Sequence, residues 1–394
     1  MSKKWLAVNW GKIFFVLLSA VAYVRVFNER ISLHYELFVK AGEMLWQGLN
    51  PYGHEITTGG NLWFYSPSCG MFLFGPFALL PEKLGEFVFV WGSWLFFWWG
   101  LSRVLEILKS KNSSFYLYEQ WIWAFVSIQM MAAIWATKIE ILMVGIILLC
   151  LSLMMRAQKV TLAIVLLAII TSWKFLTLST AGLVLVAFLL RKKQIKPALV
   201  FICTLVVMHF IPLLRYSMDE LNVLYRAQAE SLAWFIPQGV YTLDNFYNFL
   251  KSSLGIVLSD FGRNLLAGGV ALWLVGLVAK KSLQKQKSEW VELLLFCGAA
   301  GAGFTTLFNP TGQNNALIQI APLVVLAFWG AHRFEKPLRR ICLGVILSVW
   351  LGLTFAYSDI MPRIVRELTV KPAFVFILLA LILLYERTEK VRRG

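Results

Sequence analysis

The sequence predicts an all-α polytopic membrane protein, a bundle of about twelve membrane-spanning helices. Hydrophobic residues make up 59% of the 394 positions and charged residues only 15%. In soluble domains, about a quarter of the residues are charged. The mean hydropathy is +0.69. The chain also contains 30 Phe, 17 Trp and 12 Tyr, and Trp and Tyr are favoured at the two surfaces of a bilayer. This composition excludes an ordinary soluble enzyme.

The apolar segments follow one another along the whole chain, and most are about long enough to cross the hydrocarbon core of a bilayer. They lie near residues 13–29, 86–106, 119–136, 141–156, 160–173, 175–190, 197–215, 264–280, 289–308, 315–331, 341–357 and 372–386. We expect them to form a single integral membrane domain over residues 1–394.

The lysines and arginines predict the orientation of this domain. If the N-terminus lies in the cytoplasm, most of the 37 Lys and Arg residues fall in short inner loops, as the positive-inside rule requires. Both termini are then cytoplasmic. The formal charge of +16 is explained by this orientation and by contact with anionic membrane lipids, so we expect no nucleic-acid partner.

Two long segments lie on the predicted outer side, residues 28–85 and 216–263. In the first, residues 34–46 have an amphipathic pattern that predicts a helix in the membrane interface. Residues 67–81 contain internal Gly and Pro and predict a re-entrant or interfacial segment. The second long segment opens a further helix at Asp219. Because the inner loops are short, we expect the functional site on the outer side.

Ionisable groups at the outer ends of the spans are candidate functional residues, because charges at membrane depth are costly. Lys174 lies between two very short apolar segments, and snorkelling to the interface explains it least well. Lys138 and Glu140 flank a single residue, so pairing with neighbouring side chains is an alternative to contact with a ligand. Arg363 lies at the outer end of a later span.

Motifs of soluble enzymes are absent from the sequence: there is no phosphate-binding glycine loop, no zinc-spaced cluster of His and Cys, and no GxSxG. The chain has four histidines, which argues against a catalytic metal held by histidines. We expect neither a metal nor a cofactor, with Glu36 and Glu55 left open as an acidic metal pair.

The first outer segment carries several short motifs in order. An aromatic-rich helix ends in Ala41-Gly42 and is followed by GLNPY at 48–52, FYSP at 64–67 and GPFALLP at 75–81. This series resembles the polyprenyl-phosphate-mannose-dependent mannosyltransferases of glycosyltransferase family 87, which are membrane enzymes with the GT-C fold.

The resemblance implies that a polyprenyl-phosphate sugar donor meets a lipid or glycan acceptor at the outer face of a bacterial inner membrane. The enzyme would transfer a mannose-like hexose, with a carboxylate of the first outer segment as general base and basic residues binding the departing phosphate. The candidates for phosphate contact are Lys138, Lys174 and Arg363. The candidates for contact with the acceptor or the loop are Tyr35, Glu55, Tyr65 and Asp219.

The sequence departs from the family at the catalytic base. Counting back from Ala41, the position of the family's aspartate falls on His34, with Glu36 two residues later. A neutral histidine is a suitable base, and Glu36 would serve if the helix were rotated. Two residues along a helix point about 200° apart, so both side chains cannot face one point. A different acid, Glu55 or Asp219, and loss of catalysis in a non-catalytic relative remain as alternatives.

A transporter or flippase for a lipid-linked substrate is the alternative from another functional class. Transporters commonly contain repeated halves with matching broken spans. The sequence shows no detectable repeat, and its ionisable residues avoid the centres of the predicted spans. These two features favour a transferase with one cavity that opens to the outside.

Overall fold

The computed structural model describes residues 3–28, 31–53, 56, 63, 65–174, 177–235, 246–247, 250–251, 255–284, 290–308 and 318–355. Glu55, Arg363 and the apolar segment near 372–386 lie outside these residues. Within them, all regular secondary structure is helical and no strand occurs.

The helices follow closely from the apolar segments of the sequence. In chain order they are α1 Lys3–Asn28, α2 Leu33–Trp46, α3 Pro67–Cys69, α4 Glu82–Lys111, α5 Tyr116–Trp135, α6 Glu140–Met155, α7 Val160–Trp173, α8 Leu178–Arg191, α9 Lys196–Phe210, α10 Met218–Phe235, α11 Asp260–Leu283, α12 Trp290–Phe308, α13 Ala321–Arg333 and α14 Lys336–Phe355. A π-helical turn over Gly70–Phe74 and a 3₁₀ turn over Gly75–Leu79 continue α3.

Five helical stretches of the described chain are long and apolar enough to cross a membrane. They are Asn9–Asn28, Glu82–Lys111, Lys196–Leu214, Phe261–Leu283 and Trp290–Phe308. Helices α6, α7 and α8 are apolar but shorter. The chain is therefore built as a helical membrane protein, while the number of about twelve spans and the cytoplasmic termini stay predictions.

Separate polar clusters hold the two ends of the bundle. At one end, Glu119 on α5 binds Lys12 of α1 and Lys109 of α4, each at 2.8 Å. At the other end, the hydroxyl of Thr137 after α5 donates to Glu86 near the start of α4, at 2.9 Å. Helices α1, α4 and α5 therefore run in alternating directions, as the loop charges predict. The positive-inside rule predicts that the end with Glu119 faces the cytoplasm, and this orientation stays a prediction.

Small residues allow α2 to pack tightly against residues 70–79. A Cβ atom at Gly42 of α2 would lie 2.7 Å from the backbone nitrogen of Gly75. A Cβ atom at Gly75 would lie 1.9 Å from Nε1 of Trp46, and this indole donates to the carbonyl oxygen of Met71 at 2.8 Å. The glycines of two sequence motifs are thus explained by direct contact between α2 and residues 70–79.

Glycines also bring α4 and α6 together. A Cβ atom at Gly100 would lie 2.5 Å from the carbonyl oxygen of Gly145, and one at Gly145 would lie 2.5 Å from the backbone nitrogen of Phe97. Side chains do not fit at such distances, so the two backbones are in direct contact. Small residues commonly allow such close crossings between membrane helices.

We expect Gly100→Ala to lower the melting temperature of the protein in detergent, because the added methyl group must push α4 away from α6. Overpacking of this kind costs about 1–3 kcal/mol. Gly92→Ala on the same helix is the matched control, since nothing lies within 4 Å of its Cβ position. Equal melting temperatures for the two variants, measured by tryptophan fluorescence, would contradict the close crossing.

Candidate functional site

Ionisable side chains from separate segments meet where α2 and Tyr65 lie against residues that follow α5 and α7 and against the first residue of α6. The Nζ atom of Lys138 lies 2.7 Å from Nε2 of His34 on α2. The Nζ atom of Lys174 lies 2.5 Å from Oε1 of Glu140, the first residue of α6, and 3.5 Å from the hydroxyl of Tyr65. We refer to these five residues as the lysine cluster.

The position of Lys138 follows from the way α5 ends. The backbone N–H of Thr137 donates to the carbonyl of Ile134 at 2.9 Å, and that of Lys138 donates to the carbonyl of Ala133 at 3.0 Å. This pattern is a Schellman motif, which needs a left-handed residue after the helix. Thr137 fills that position with φ +47°. The chain turns sharply there and directs Lys138 towards α2.

Lys174 stands at the corresponding end of α7. Its backbone N–H donates to the carbonyl of Ile170 at 3.2 Å, and the carbonyl of Trp173 accepts from the N–H of Ser66 at 3.4 Å. The second contact joins the FYSP motif to α7. The Lys174 ammonium also lies 5.1 Å from the ring centre of Tyr65, within the range of a cation–π contact.

The lysine cluster contains more positive than negative charge. Lys138 is 5% exposed and Glu140 is 4% exposed, and the side chain of Lys174 is 10% exposed. The cluster therefore buries two ammonium groups with one carboxylate. Excess charge in a buried site is costly unless a partner of opposite sign is bound. The second oxygen of Glu140, Oε2, accepts no hydrogen bond from the part of the chain that the structure describes.

The histidine in this cluster is neutral at physiological pH. Burial lowers the pKa of His34 to about 4, and the nearby charges of Lys138 and Lys174 lower it further, while Glu140 opposes them. Burial also lowers the pKa of Lys138 to about 8. The negative charge of Glu140 opposes this shift, whereas the positive charge of Lys174 adds to it. The protonated lysine therefore donates to the neutral Nε2 of His34.

A cavity of about 30 Å³ borders Glu140 and Lys174, which is enough for one or two water molecules. Its polar lining comes from Thr177, Thr180, Thr305 and Gln319, and its apolar lining from Met143, Val144, Ile147, Ala302 and Pro322. The cavity thus offers space for a hydroxyl-bearing group beside a carboxylate.

Of the two candidate bases, only His34 lies in the cluster. Glu36 instead binds Lys40, one turn further along α2, at 2.5 Å. Glu36 points away from His34 because two residues along a helix differ in direction by about 200°. Tyr65 joins the cluster as an acceptor-contact candidate.

Among the described residues, no contact joins the candidates Tyr35 and Asp219 to the cluster. Tyr35 is buried, its ring lies beside Phe77 and Phe89, and a Cβ atom at Gly85 would lie 2.1 Å from its hydroxyl. Asp219 is exposed in the first turn of α10. Glu55 and Arg363 lie outside the described residues, so their roles stay predictions. Within the described residues, no group of three or more His, Cys, Asp or Glu side chains is placed to hold a metal.

The sequence offered Glu140 either as a functional residue or as a partner for neighbouring charges, and it gave no role to Glu86. The signal for Glu140 was its position two residues after Lys138. Glu86 gave no signal, because a single carboxylate at the end of a span is indistinguishable from an interfacial residue before its contacts are known.

The model of glycosyltransferase family 87 matches residues 63–237 of the chain. The matched range contains Tyr65, Lys138, Glu140 and Lys174. It does not contain His34, because it begins after α2. No curated protein sequence matches the chain. The family match supports a glycosyltransferase, and the long apolar helices support a location in a membrane.

We expect His34→Gln to make the protein less sensitive to acid. Unfolded histidine takes up a proton near pH 6.5 and folded His34 only near pH 4, so the unfolded state binds more protons between these values and stability falls as the pH falls. The loss attributable to this histidine is about 3 kcal/mol. Melting temperatures at pH 7, 6, 5 and 4 check this. An identical acid dependence for both proteins would show that His34 is not buried as a neutral group.

We expect Glu140→Gln to destabilise the protein strongly, because it leaves the buried charge of Lys174 without the carboxylate that it contacts. Breaking a buried pair in this way costs about 3–5 kcal/mol. Glu36→Gln is the matched control: its partner Lys40 has a side chain that is 41% exposed, and pairs near the surface contribute about 0–1 kcal/mol. Equal losses in thermal unfolding would contradict the charge balance described for the cluster.

Proposed function

We propose that the chain is a membrane glycosyltransferase that transfers a mannose-like hexose from a polyprenyl-phosphate sugar to a lipid or glycan acceptor. The reaction takes place at the outer face of a bacterial inner membrane. The family match supports the enzyme class. The observation that carries the proposal is the excess positive charge of the lysine cluster, because the donor's phosphate is the anion that would balance it.

The two lysines suit the leaving group of this reaction. As the bond between the anomeric carbon and the phosphate oxygen breaks, negative charge accumulates on polyprenyl phosphate. Ammonium groups already held in place stabilise such developing charge most effectively in a site that excludes water. Lys138 and Lys174 would bind the phosphate from two sides, and Glu140 holds Lys174 in position.

Donor binding would also activate His34 as the base. In the structure, the Nε2 lone pair of His34 accepts from Lys138 and is therefore occupied. A bound phosphate would attract the ammonium away from this nitrogen, and its negative charge would offset the lysine charges that lower the histidine pKa. Nε2 could then take the acceptor's hydroxyl proton as the acceptor oxygen attacks the anomeric carbon.

The occupied nitrogen of His34 also favours a second candidate function, a protein that binds a lipid-linked phosphate without transferring its sugar. Such a relative would keep the lysine cluster but need no base. Transfer measurements on base variants separate the two functions.

We expect Lys174→Ala to abolish transfer of radiolabelled sugar while the protein remains folded, because the phosphate loses one of its two cations. Polyprenyl-phosphate mannose and polyprenyl-phosphate glucose serve as donors, with native membrane lipids as acceptors. Lys196→Met is the control, because this exposed lysine starts α9 at the opposite end of the bundle. Full activity of Lys174→Ala would remove Lys174 from the donor site.

The same assay identifies the base. We expect His34→Ala to lose product, because His34 is the base candidate of the sequence that lies in the lysine cluster within the described part of the chain, and general-base catalysis contributes about 10²–10⁴-fold. Glu36→Ala should retain activity, since Glu36 is paired with Lys40. Loss of product in Glu36→Ala alone would reverse this assignment. Donor binding without transfer by the wild-type protein would establish the non-catalytic function.

A further inference from the structure

A buried carboxylate joins the two segments that carry His34 and Lys138. Glu86 on α4 is 1% exposed. Its Oε1 atom accepts from the backbone N–H of Ser32 at 3.0 Å and from the hydroxyl of Thr137 at 2.9 Å. Ser32 lies directly before α2 and Thr137 directly before Lys138. Oε1 of Glu86 therefore contacts both the residue before α2 and the residue before Lys138.

The contact with Ser32 determines where α2 begins. Ser32 is the N-cap residue, with extended backbone angles of φ −60° and ψ 129°, and its Oγ atom accepts from the backbone N–H of His34 at 3.3 Å. An N-cap sets the first turn of a helix and hence the directions of its first side chains. By holding Ser32, Glu86 sets the direction of His34.

The contact with Thr137 explains an unusual residue choice. The Schellman motif at the end of α5 favours glycine at this position, and a β-branched residue with a positive φ is strained. Thr137 has φ +47°. Glycine would relieve the strain but has no hydroxyl for Glu86. Strained residues of this kind persist where the surroundings hold them, and they are concentrated at functional sites.

We propose that Glu86 and Thr137 are positioning residues, which hold His34 and Lys138 at the separation that the transfer reaction requires. This inference rests on the proposed function. Neither residue needs to touch the substrate. A displacement of about 1 Å in a catalytic constellation can lower a rate by about 10²-fold, so a loose connection between α2 and the turn after α5 is sufficient to impair turnover.

The first test compares Thr137→Gly with Thr137→Ser. Thr137→Gly should fold with an equal or higher melting temperature, because the backbone strain disappears, while kcat falls by about tenfold or more. Thr137→Ser keeps the hydroxyl and should retain most of the activity, as should Glu86→Gln, which keeps an acceptor oxygen. If Thr137 had a purely structural role, kcat would fall only in variants whose melting temperature also falls. Wild-type kcat in Thr137→Gly would overturn the proposal.

A second test needs no transfer activity. Thr137→Gly is introduced into the wild type and into Glu86→Ala, and the change in melting temperature is compared. The increase should be larger in Glu86→Ala, because no hydrogen bond remains to be lost there. Equal changes would show that the two residues do not interact and would overturn the proposal. If the wild type transfers no sugar although the changes differ, the proposed function fails while the connection itself stands.

Discussion

The burial of two lysines with one carboxylate is the constraint on which the candidate site depends. Glu140 binds Lys174 directly and moderates the repulsion at Lys138. Charged groups at membrane depth are costly and commonly mark functional sites, and their retention needs support from the fold. The close α4–α6 crossing, the contact of His34 with Lys138 and the contact of Ser66 with the last residue of α7 supply that support.

Much of the fold was predictable from the sequence because hydrophobic length and loop charge depend on local composition. The predicted segments 141–156 and 160–173 agree closely with α6 and α7. The amphipathic helix near residues 34–46 was also correct, since its apolar residues recur at helical spacing and Gly48 follows with φ +77°.

The candidate site was predictable only in part. Lys138 and Lys174 were identified because charge at membrane depth is costly wherever it occurs. The choice between His34 and Glu36 depended on the rotation of α2, and the contact between Glu86 and Ser32 that we propose to fix it joins residues 54 positions apart. No spacing rule contains such a contact. The strained backbone of Thr137 was not predictable either, because a threonine after a helix does not reveal its φ angle in the sequence.

The most direct test of the account is an experimental structure of the protein with bound polyprenyl phosphate. The account predicts a phosphate within hydrogen-bonding distance of both Lys138 and Lys174, with the ammonium of Lys138 moved away from Nε2 of His34. A phosphate bound instead near Lys12 and Lys109 at the opposite end of the bundle, with the lysine cluster unchanged, would contradict it.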